Sequence, residues 1–405
     1  MTKKQQVLLL YSSSVIGLII GMLNSVINTR NLNPHEYGDV RYVQNIIAFV
    51  SSMLLLGYFV SGSRLLALSK DEVYSRRIRG VMCTILAISI LVLMIVQVAY
   101  YFYNSFQGNH IADLFLASIP VCGNVVMLNY INTTAQGDNH IVRISIARLL
   151  PSTLYLFVAY WIFKEYGATP VKMLLLFNGI SVITLFLIIL STRPSFKHFG
   201  ESFKILHEEN IKYGFNVYVG SVANVSTAYI AGITLGAFQE NNADVGFYTL
   251  ALTLAHPLAM LPSIIGTTYF KKFATQDKID KKVMTSSLGI TILSCIVFIL
   301  SIKYIVFFLY DESYSSVSII ASYLAIGISI HGLGDMINRF LGAHGLGKEL
   351  RNAALGSGAI LVLGNIILIY YWGITGAIIT KILSSFAYFG ILYYYYVNFR
   401  RCSRK

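Results

Sequence analysis

The stretch Arg193 to Lys212, RPSFKHFGESFKILHEENIK, is the longest polar segment in a chain that is otherwise mostly apolar. It lies near the midpoint and separates two halves of similar length and pattern. Its apolar residues recur at roughly helical spacing: Phe196, Phe199, Phe203, Leu206 and Ile211. This pattern is typical of a helix lying on a membrane surface, and a plain solvated linker is the alternative. Either way, we interpret the stretch as the junction of a two-lobed membrane protein, with lobes at 1–192 and 213–405 and a linker at 193–212.

The composition predicts that the bilayer is the solvent for most of the chain. Hydrophobic residues make up 56% of the sequence and charged residues 12%, with a mean hydropathy of +0.65, whereas soluble domains carry about 25% charged residues. So few polar residues could not cover the surface of a water-soluble protein of this length. The apolar N-terminal run lacks a small-residue cleavage site, which predicts a retained first span. Four cysteines are scattered singly, so neither a disulfide framework nor a metal site is predicted: Cys83, Cys122, Cys295 and Cys402.

Twelve segments are long and apolar enough to form transmembrane helices, which need about 20 residues each. They lie near 7–27, 42–62, 80–103, 113–133, 146–163, 172–192, 213–237, 246–269, 284–308, 316–336, 353–371 and 374–396. The connections are too short to hold a separate soluble domain. The sequence therefore predicts an all-α integral membrane protein with six helices in each lobe.

The distribution of Lys and Arg predicts the orientation of these spans. The N-terminus, every second loop and the tail hold 25 of the 31 basic residues, and the opposite loops hold four. This bias places both termini in the cytoplasm. It also accounts for the net charge of +13 without a nucleic acid partner, because the basic residues act as topology signals and contact lipid head groups.

Internal repeats relate the two halves. At an offset of 208 residues, Gly38 in EYGDVRYVQ aligns with Gly246 in DVGFYTLAL, and AQGDNHIVR aligns with AHGLGKELR. Arg64 aligns with Lys272 at the same offset. Because each half begins in the cytoplasm, the repeat predicts lobes related by a pseudo-twofold axis along the membrane normal.

Signals for enzymes and cofactors are absent from the sequence. There is no HExxH motif, and Gly345-Leu-Gly347-Lys348 follows a membrane helix rather than a strand, so it does not meet the context of a phosphate-binding loop. All eighteen Asp and Glu residues fall in loops or near span ends. Because cation-coupled exporters generally need a buried carboxylate, this distribution argues against that class.

Basic residues in or beside the spans are the candidates for binding an anionic substrate. Lys381 lies seven residues into the last span, about 10 Å below the boundary, and no carboxylate lies three or four residues away on its helix. We expect Lys381 and Arg30, which closes the first span, to face a cavity, with Arg148 and Arg339 at inner helix ends. For Arg41 and the two other basic residues near span ends, Arg64 and Lys303, we favour snorkelling to the head groups.

Two further sets of polar residues lie in the spans. His331, Asp335 and Arg339 are spaced four apart on span ten, and the last two can pair along the helix. A local ion pair is the interpretation we favour, and ion coupling through Asp335 and His331 is the alternative. Amides cluster on spans one, two and seven as interhelical contacts or as cavity lining: Asn24, Asn28, Gln44, Asn45, Asn216 and Asn224.

The stretch Arg30-Asn-Leu-Asn-Pro-His-Glu-Tyr-Gly38 resembles the R-x-L-x-P-x-E-Y-G pattern of the polysaccharide flippase family. These proteins are the O-antigen and capsule repeat-unit transporters of the multidrug/oligosaccharidyl-lipid/polysaccharide superfamily. The segment Asp244-Val-Gly-Phe-Tyr248 is similar to a degenerate second copy. The resemblance covers the whole chain, including its twelve spans and two six-helix lobes.

The resemblance implies a flippase, not an enzyme, in the bacterial cytoplasmic membrane. Its substrate would be an undecaprenyl-diphosphate-linked oligosaccharide, moved by alternating access through a cationic cavity. Its partners would be that lipid, membrane lipids and glycan-assembly proteins, with no cofactor or metal. A cation-coupled multidrug exporter of the same fold is the first alternative. A membrane glycan polymerase or ligase is the second, and it would be expected to carry a large outer loop, which the chain lacks.

Overall fold

A computed structural model describes residues 3–69, 71–239 and 241–402, with side chains described except at 3–11, 216, 219–228, 271 and 402. Within these ranges the chain is helical and contains no strand. The helices are α1 Lys3–Asn31, α2 Pro34–Met53, α3 Tyr58–Leu68, α4 Glu72–Phe106, α5 Ala112–Ser118, α6 Asn124–Gly137, α7 Ile141–Tyr166, α8 Pro170–Ser191, α9 Phe199–Glu209, α10 Phe215–Phe238, α11 Ala243–Ala255, α12 Pro257–Thr268, α13 Phe270–Phe273, α14 Lys281–Leu309, α15 Ser316–Ala343 and α16 Gly347–Cys402.

The predicted spans coincide with these helices. In the described part of the chain, nine helices are long and apolar enough to cross a membrane, and the bent pair α2 and α3 makes a tenth. Helix α16 holds the last two predicted spans, which meet at Gly373, where φ is 52° and ψ is −132°. Helix α10 holds the seventh. The predicted all-α membrane fold is therefore confirmed.

The second span is broken, although the sequence predicts one continuous helix there. Helices α2 and α3 meet at an angle of 58°, and Gly57 at the break has φ +81°. The amide of Asn210 donates to Leu56 O at 3.1 Å and accepts from Ser61 Oγ at 3.1 Å. Gly214 also packs against the start of α3, so closely that a Cβ at this position would lie 1.9 Å from Ser61 Oγ. Residues at the end of the central polar stretch therefore stabilise the bend between α2 and α3.

The central stretch contains α9 and packs on α3 and α4. Phe203 stacks on Tyr58 with ring centroids 6.5 Å apart, and Leu206 is fully buried. Arg64 forms an ion pair with Glu209 at 2.6 Å and lies over the ring of Tyr213. Arg64 therefore contacts the end of the central stretch, whereas the sequence favoured snorkelling to the lipid head groups.

The chain divides into two compact units, residues 1–229 and 230–405. The division falls inside α10, so the central stretch and its α9 helix belong to the first unit. The predicted lobe boundaries at 192 and 213, and the position of α9 on the membrane surface, stay predictions. In the second unit, a buried aromatic and aliphatic cluster joins α13, α15 and the end of α16 around Phe340.

The buried guanidinium of Arg79 joins three segments of the first unit. Arg79 on α4 donates to Asp138, after α6, at 2.9 Å, and both side chains are less than 10% exposed. It also donates to Glu72 at 3.1 Å and to the carbonyl of Thr192, after α8, at 3.3 Å. Arg143 approaches the other Asp138 oxygen at 3.4 Å. Arg79 is costly to remove, since the buried carboxylate of Asp138 would keep only its longer contact with Arg143.

The charge bias leads to a labelling prediction that tests the orientation. Single cysteines at the exposed positions Gln107 and Asn241 are expected to react with an impermeant thiol reagent applied to intact cells. A cysteine at the exposed Asp277 is expected to react only after permeabilisation, because it lies in a basic loop. The background should lack the four native cysteines. The opposite pattern would reverse the orientation.

Candidate functional site

The family-like motif builds the turn between α1 and α2. Asn33 caps α2: its side chain accepts from Glu36 N at 2.9 Å, and the Glu36 carboxylate accepts from Asn33 N at 3.1 Å. Pro34 occupies the first helical turn, where a missing N–H costs nothing. Tyr37 is buried. These residues fix the turn and leave Arg30 exposed in the last turn of α1.

The amides of α1 bind α7. Asn24 Nδ2 donates to Ser152 O at 3.1 Å, and Asn28 Oδ1 accepts from the hydroxyl of Tyr155. Both amides are almost completely buried. Asn24 Oδ1 and Asn28 Nδ2 have no hydrogen-bond partner among the described residues. Each amide therefore joins two helices and leaves one buried polar atom without a hydrogen-bond partner among the described residues.

A second polar network in the first unit runs across α2, α6 and α8. Arg41 Nη1 donates to Gln44 Oε1 at 2.9 Å, and Gln44 Nε2 donates to Asn178 Oδ1 at 3.4 Å. Asn124 Nδ2 donates to the same Asn178 oxygen at 3.2 Å. The guanidinium of Arg41 also lies 4.9 Å from the ring centroid of Tyr37. Arg41 is thus held within the protein, where the sequence favoured snorkelling.

Sequence reasoning missed Asn124 and Asn178, although each is an amide inside an apolar run. Such a residue inside a span is expensive unless another polar group meets it. The presence of an amide in spans four and six was visible in the sequence. The hydrogen bond between Asn124 and Asn178 depends on how the helices pack.

Arg148 is exposed on α7, and its Nε donates to Asn132 Oδ1 on α6 at 3.3 Å. It carries a cation on the surface of the first unit. Arg339 is likewise exposed, on α15 of the second unit, and packs against Gly266 of α12. Arg339 lies one turn before the end of α15, as the sequence predicted, whereas α7 begins at Ile141 and places Arg148 two turns inside its helix.

The second unit contains a polar cluster between α15 and α16. The hydroxyl of Tyr388 donates to Asp335 Oδ1 at 3.1 Å and accepts from Asn338 Nδ2 at 2.9 Å. The ring of His331 stacks on Tyr388 with centroids 4.5 Å apart. Asp335 and Arg339 form no ion pair within 4.0 Å in the described chain, so the predicted pairing along the helix is replaced by a bond across helices.

Lys381 belongs to this cluster. It is half-buried and interacts electrostatically with Asp335, His331 and His256. No carboxylate lies three or four residues from Lys381 on its own helix, but α15 packs on α16 and brings Asp335 close. Of the predicted site residues, His331, Asp335 and Lys381 therefore come together. The cluster can hold an anionic group on its lysine or exchange a proton or cation at its carboxylate.

A cavity of about 750 Å³ lies beside the start of α14 and the C-terminal parts of α15 and α16 in the second unit, among Lys278, Lys281 and Arg400. Asp280 at its edge pairs with Lys272 at 2.6 Å. The hydrogen bond between them raises the pKa of the Lys272 ammonium and lowers the pKa of the Asp280 carboxyl. With Asp280 already paired, the other cations are available to an anion.

The fold is similar to those of two solved membrane proteins. A multidrug resistance transporter of the MATE family and the MOP superfamily, in an inward-facing conformation, aligns with a TM-score of 0.71 and 14% identity over 95% of this chain and 96% of the other. The lipid II flippase MurJ, in an inward closed conformation, aligns with a TM-score of 0.72 and 14% identity over 96% of this chain and 87% of the other. At this identity the likeness shows the fold alone.

The sequence defines the family. A family model described as polysaccharide biosynthesis protein matches residues 4–271, about two thirds of the chain. The chain therefore belongs to the polysaccharide biosynthesis protein family, and the predicted family resemblance is confirmed. A search of curated protein sequences gives no match.

Proposed function

We propose that this protein moves an undecaprenyl-diphosphate-linked oligosaccharide repeat unit from the inner to the outer leaflet of a bacterial cytoplasmic membrane. The observation that carries the proposal is membership of the polysaccharide biosynthesis family in a chain with a transporter fold. Lipid-linked oligosaccharides are the membrane-bound intermediates that such a transporter would carry. Glycan-assembly proteins would supply and receive the substrate.

The physical problem is to carry a diphosphate and several sugars across about 30 Å of hydrocarbon. Basic side chains in both units would replace the water around the diphosphate: Arg30 and Arg148 in the first unit, and Arg339 and Lys381 in the second. The buried amides Asn24 and Asn28 each keep a polar atom that could bind a sugar hydroxyl. Alternating access past these groups would let the diphosphate keep a partner in each conformation, while the polyprenyl tail stays in lipid.

A cation-coupled multidrug exporter is the second candidate, and one observation favours it. Asp335 is a half-buried carboxylate eight residues before the end of α15, beside His331 and Lys381. The sequence disfavoured this class because its carboxylates fall in loops or near span ends. In the flippase proposal the same cluster would couple transport to an ion gradient through Asp335 and His331.

Deletion of the gene distinguishes the two functions. The flippase proposal predicts loss of surface polysaccharide and accumulation of the lipid-linked repeat unit on the inner side of the membrane. Both effects should be reversed by the wild-type gene, with unchanged sensitivity to cationic drugs. Normal polysaccharide together with increased drug sensitivity would instead support the exporter.

Arg30→Gln is expected to lower polysaccharide export about tenfold or more. A charge-assisted contact to phosphate is worth about 1.5–3 kcal/mol, which corresponds to that factor in affinity. Arg30→Lys should restore part of the export, because lysine cannot make the two-pronged contact. Lys164→Gln is the matched control, since Lys164 is also an exposed cation in the last turn of a helix in the same unit. Equal export by Arg30→Gln and wild type, at equal membrane abundance, would remove Arg30 from the site.

A further inference from the structure

We propose that His35, Asp39 and His110 form a binding site for a divalent transition-metal ion, with Zn²⁺ as the ion that best suits these ligands. The three candidate ligand atoms lie within 4.8 Å of one another. His35 Nδ1 is 3.2 Å from Asp39 Oδ2, and His110 Nε2 is 2.9 Å from the same oxygen. Neither the transport fold nor the flippase proposal uses these residues.

The chemistry of the set suits zinc. Imidazole nitrogen and carboxylate oxygen bind Zn²⁺ at about 2.0–2.2 Å, so ligand atoms of a tetrahedral site lie about 3.3 Å apart. The two measured distances are close to that spacing. Three protein ligands leave a fourth position for water or another ligand. Hard cations such as Ca²⁺ and Mg²⁺ prefer sites made entirely of oxygen, so the two imidazoles select against them.

The backbone on both sides of the site is fixed. His35 and Asp39 are one turn apart at the start of α2, which the Asn33 capping box anchors. His110 lies in the connection between α4 and α5, where Asn109 Oδ1 accepts from Ile111 N at 3.2 Å. Asp39 is buried, whereas His110 is exposed, so an ion could enter past the His110 ring. A bound ion would therefore tie the start of α2 to the α4–α5 connection.

The spacing of His35 and Asp39 was visible in the sequence, but the third ligand is 71 residues further along from Asp39. Only the packing of α2 against α4 and α5 brings it into place. The charge bias predicts that this end of the unit faces outward, where extracellular metal would reach it.

The test is metal binding by the purified full-length protein, without a polyhistidine tag and stripped with chelator. Zn²⁺ titrated by calorimetry is expected to bind with a stoichiometry of one. Co²⁺, used as a spectroscopic probe, should give the visible absorption bands of a tetrahedral site. Substituting a residue that only supports a metal ligand typically weakens metal binding by about 10–100-fold. Substituting a ligand itself, as in His110→Gln or Asp39→Asn, should therefore weaken Zn²⁺ binding at least tenfold.

His198→Gln is the matched control, because His198 is also exposed and lies near a carboxylate, Glu201, at 3.8 Å. It should bind Zn²⁺ like the wild type. His110→Gln replaces an exposed side chain, so its folding should be unaffected, and a normal melting temperature without metal verifies this. The proposal is overturned if the wild type does not bind Zn²⁺, which would leave a hydrogen-bonded His-Asp-His cluster. It is also overturned if His110→Gln binds as tightly as His198→Gln.

Discussion

Replacement of Lys381 by glutamine is expected to abolish most polysaccharide export while leaving membrane abundance normal. Lys381 is a half-buried cation inside a span and interacts electrostatically with Asp335. If it binds the diphosphate, losing the charge-assisted contact costs about 1.5–3 kcal/mol, or about tenfold or more in affinity. Lys381→Arg should retain part of the export. Lys303→Gln is the control, because Lys303 is an exposed lysine in a span of the same unit, and it should export normally.

A double variant separates the two roles that Lys381 could have. The double variant is compared with Asp335→Asn alone, because a coupling role of Asp335 would by itself stop export. If Asp335→Asn alone exports and Lys381 only neutralises Asp335, the variant with both Lys381→Gln and Asp335→Asn should regain export, because the unpaired carboxylate is removed as well. If Lys381 holds the substrate, the double variant should be as defective as Lys381→Gln alone. Normal export by Lys381→Gln would contradict both roles.

Arg79→Gln is expected to produce the largest loss of stability of any single change considered. It removes the closer of the two guanidinium partners of the buried Asp138 and leaves the 3.4 Å contact with Arg143. Breaking a buried pair from one side costs up to about 3–5 kcal/mol. Arg76→Gln is the control on the same helix: its pair with Glu72 is exposed, so the cost should be within about 1 kcal/mol. Thermal unfolding of the purified variants, followed by fluorescence, should show a much lower melting temperature for Arg79→Gln only. Adding Asp138→Asn should recover part of the loss, and equal melting temperatures for the two arginine variants would contradict the assignment.

The helices were predictable because each depends on a local property, a long apolar run. The turn after Arg30 also depends on local sequence, since the residues that cap α2 lie within seven positions of Arg30. The break at Gly57 was not, because it depends on Asn210 and Gly214, about 150 residues further along the chain. The apolar sequence around the break looks like an uninterrupted span.

The candidate site was predictable only where its residues share a helix. Asn24 and Asn28 are one turn apart, and the structure binds both to α7. Lys381 has no carboxylate three or four residues away on its own helix, so the sequence indicated no partner for it. Its interaction with Asp335 arises from the packing of α15 on α16, which no periodicity in either helix encodes. The hydrogen bond between Gln44 and Asn178 could not be predicted for the same reason, because the two residues lie on different helices.

Transfer of substrate between leaflets in reconstituted vesicles tests the central proposal most directly. Purified protein is placed in vesicles that contain a fluorescent undecaprenyl-diphosphate oligosaccharide, and an impermeant quencher reports the fraction in the outer leaflet over time. Wild-type protein is expected to expose the inner-leaflet pool much faster than protein-free vesicles do. Lys381→Gln should be at least tenfold slower than the wild type, and Lys303→Gln should match it. Exposure no faster than in protein-free vesicles, from protein that in the same vesicles transports a cationic drug, would contradict the flippase assignment and support the exporter.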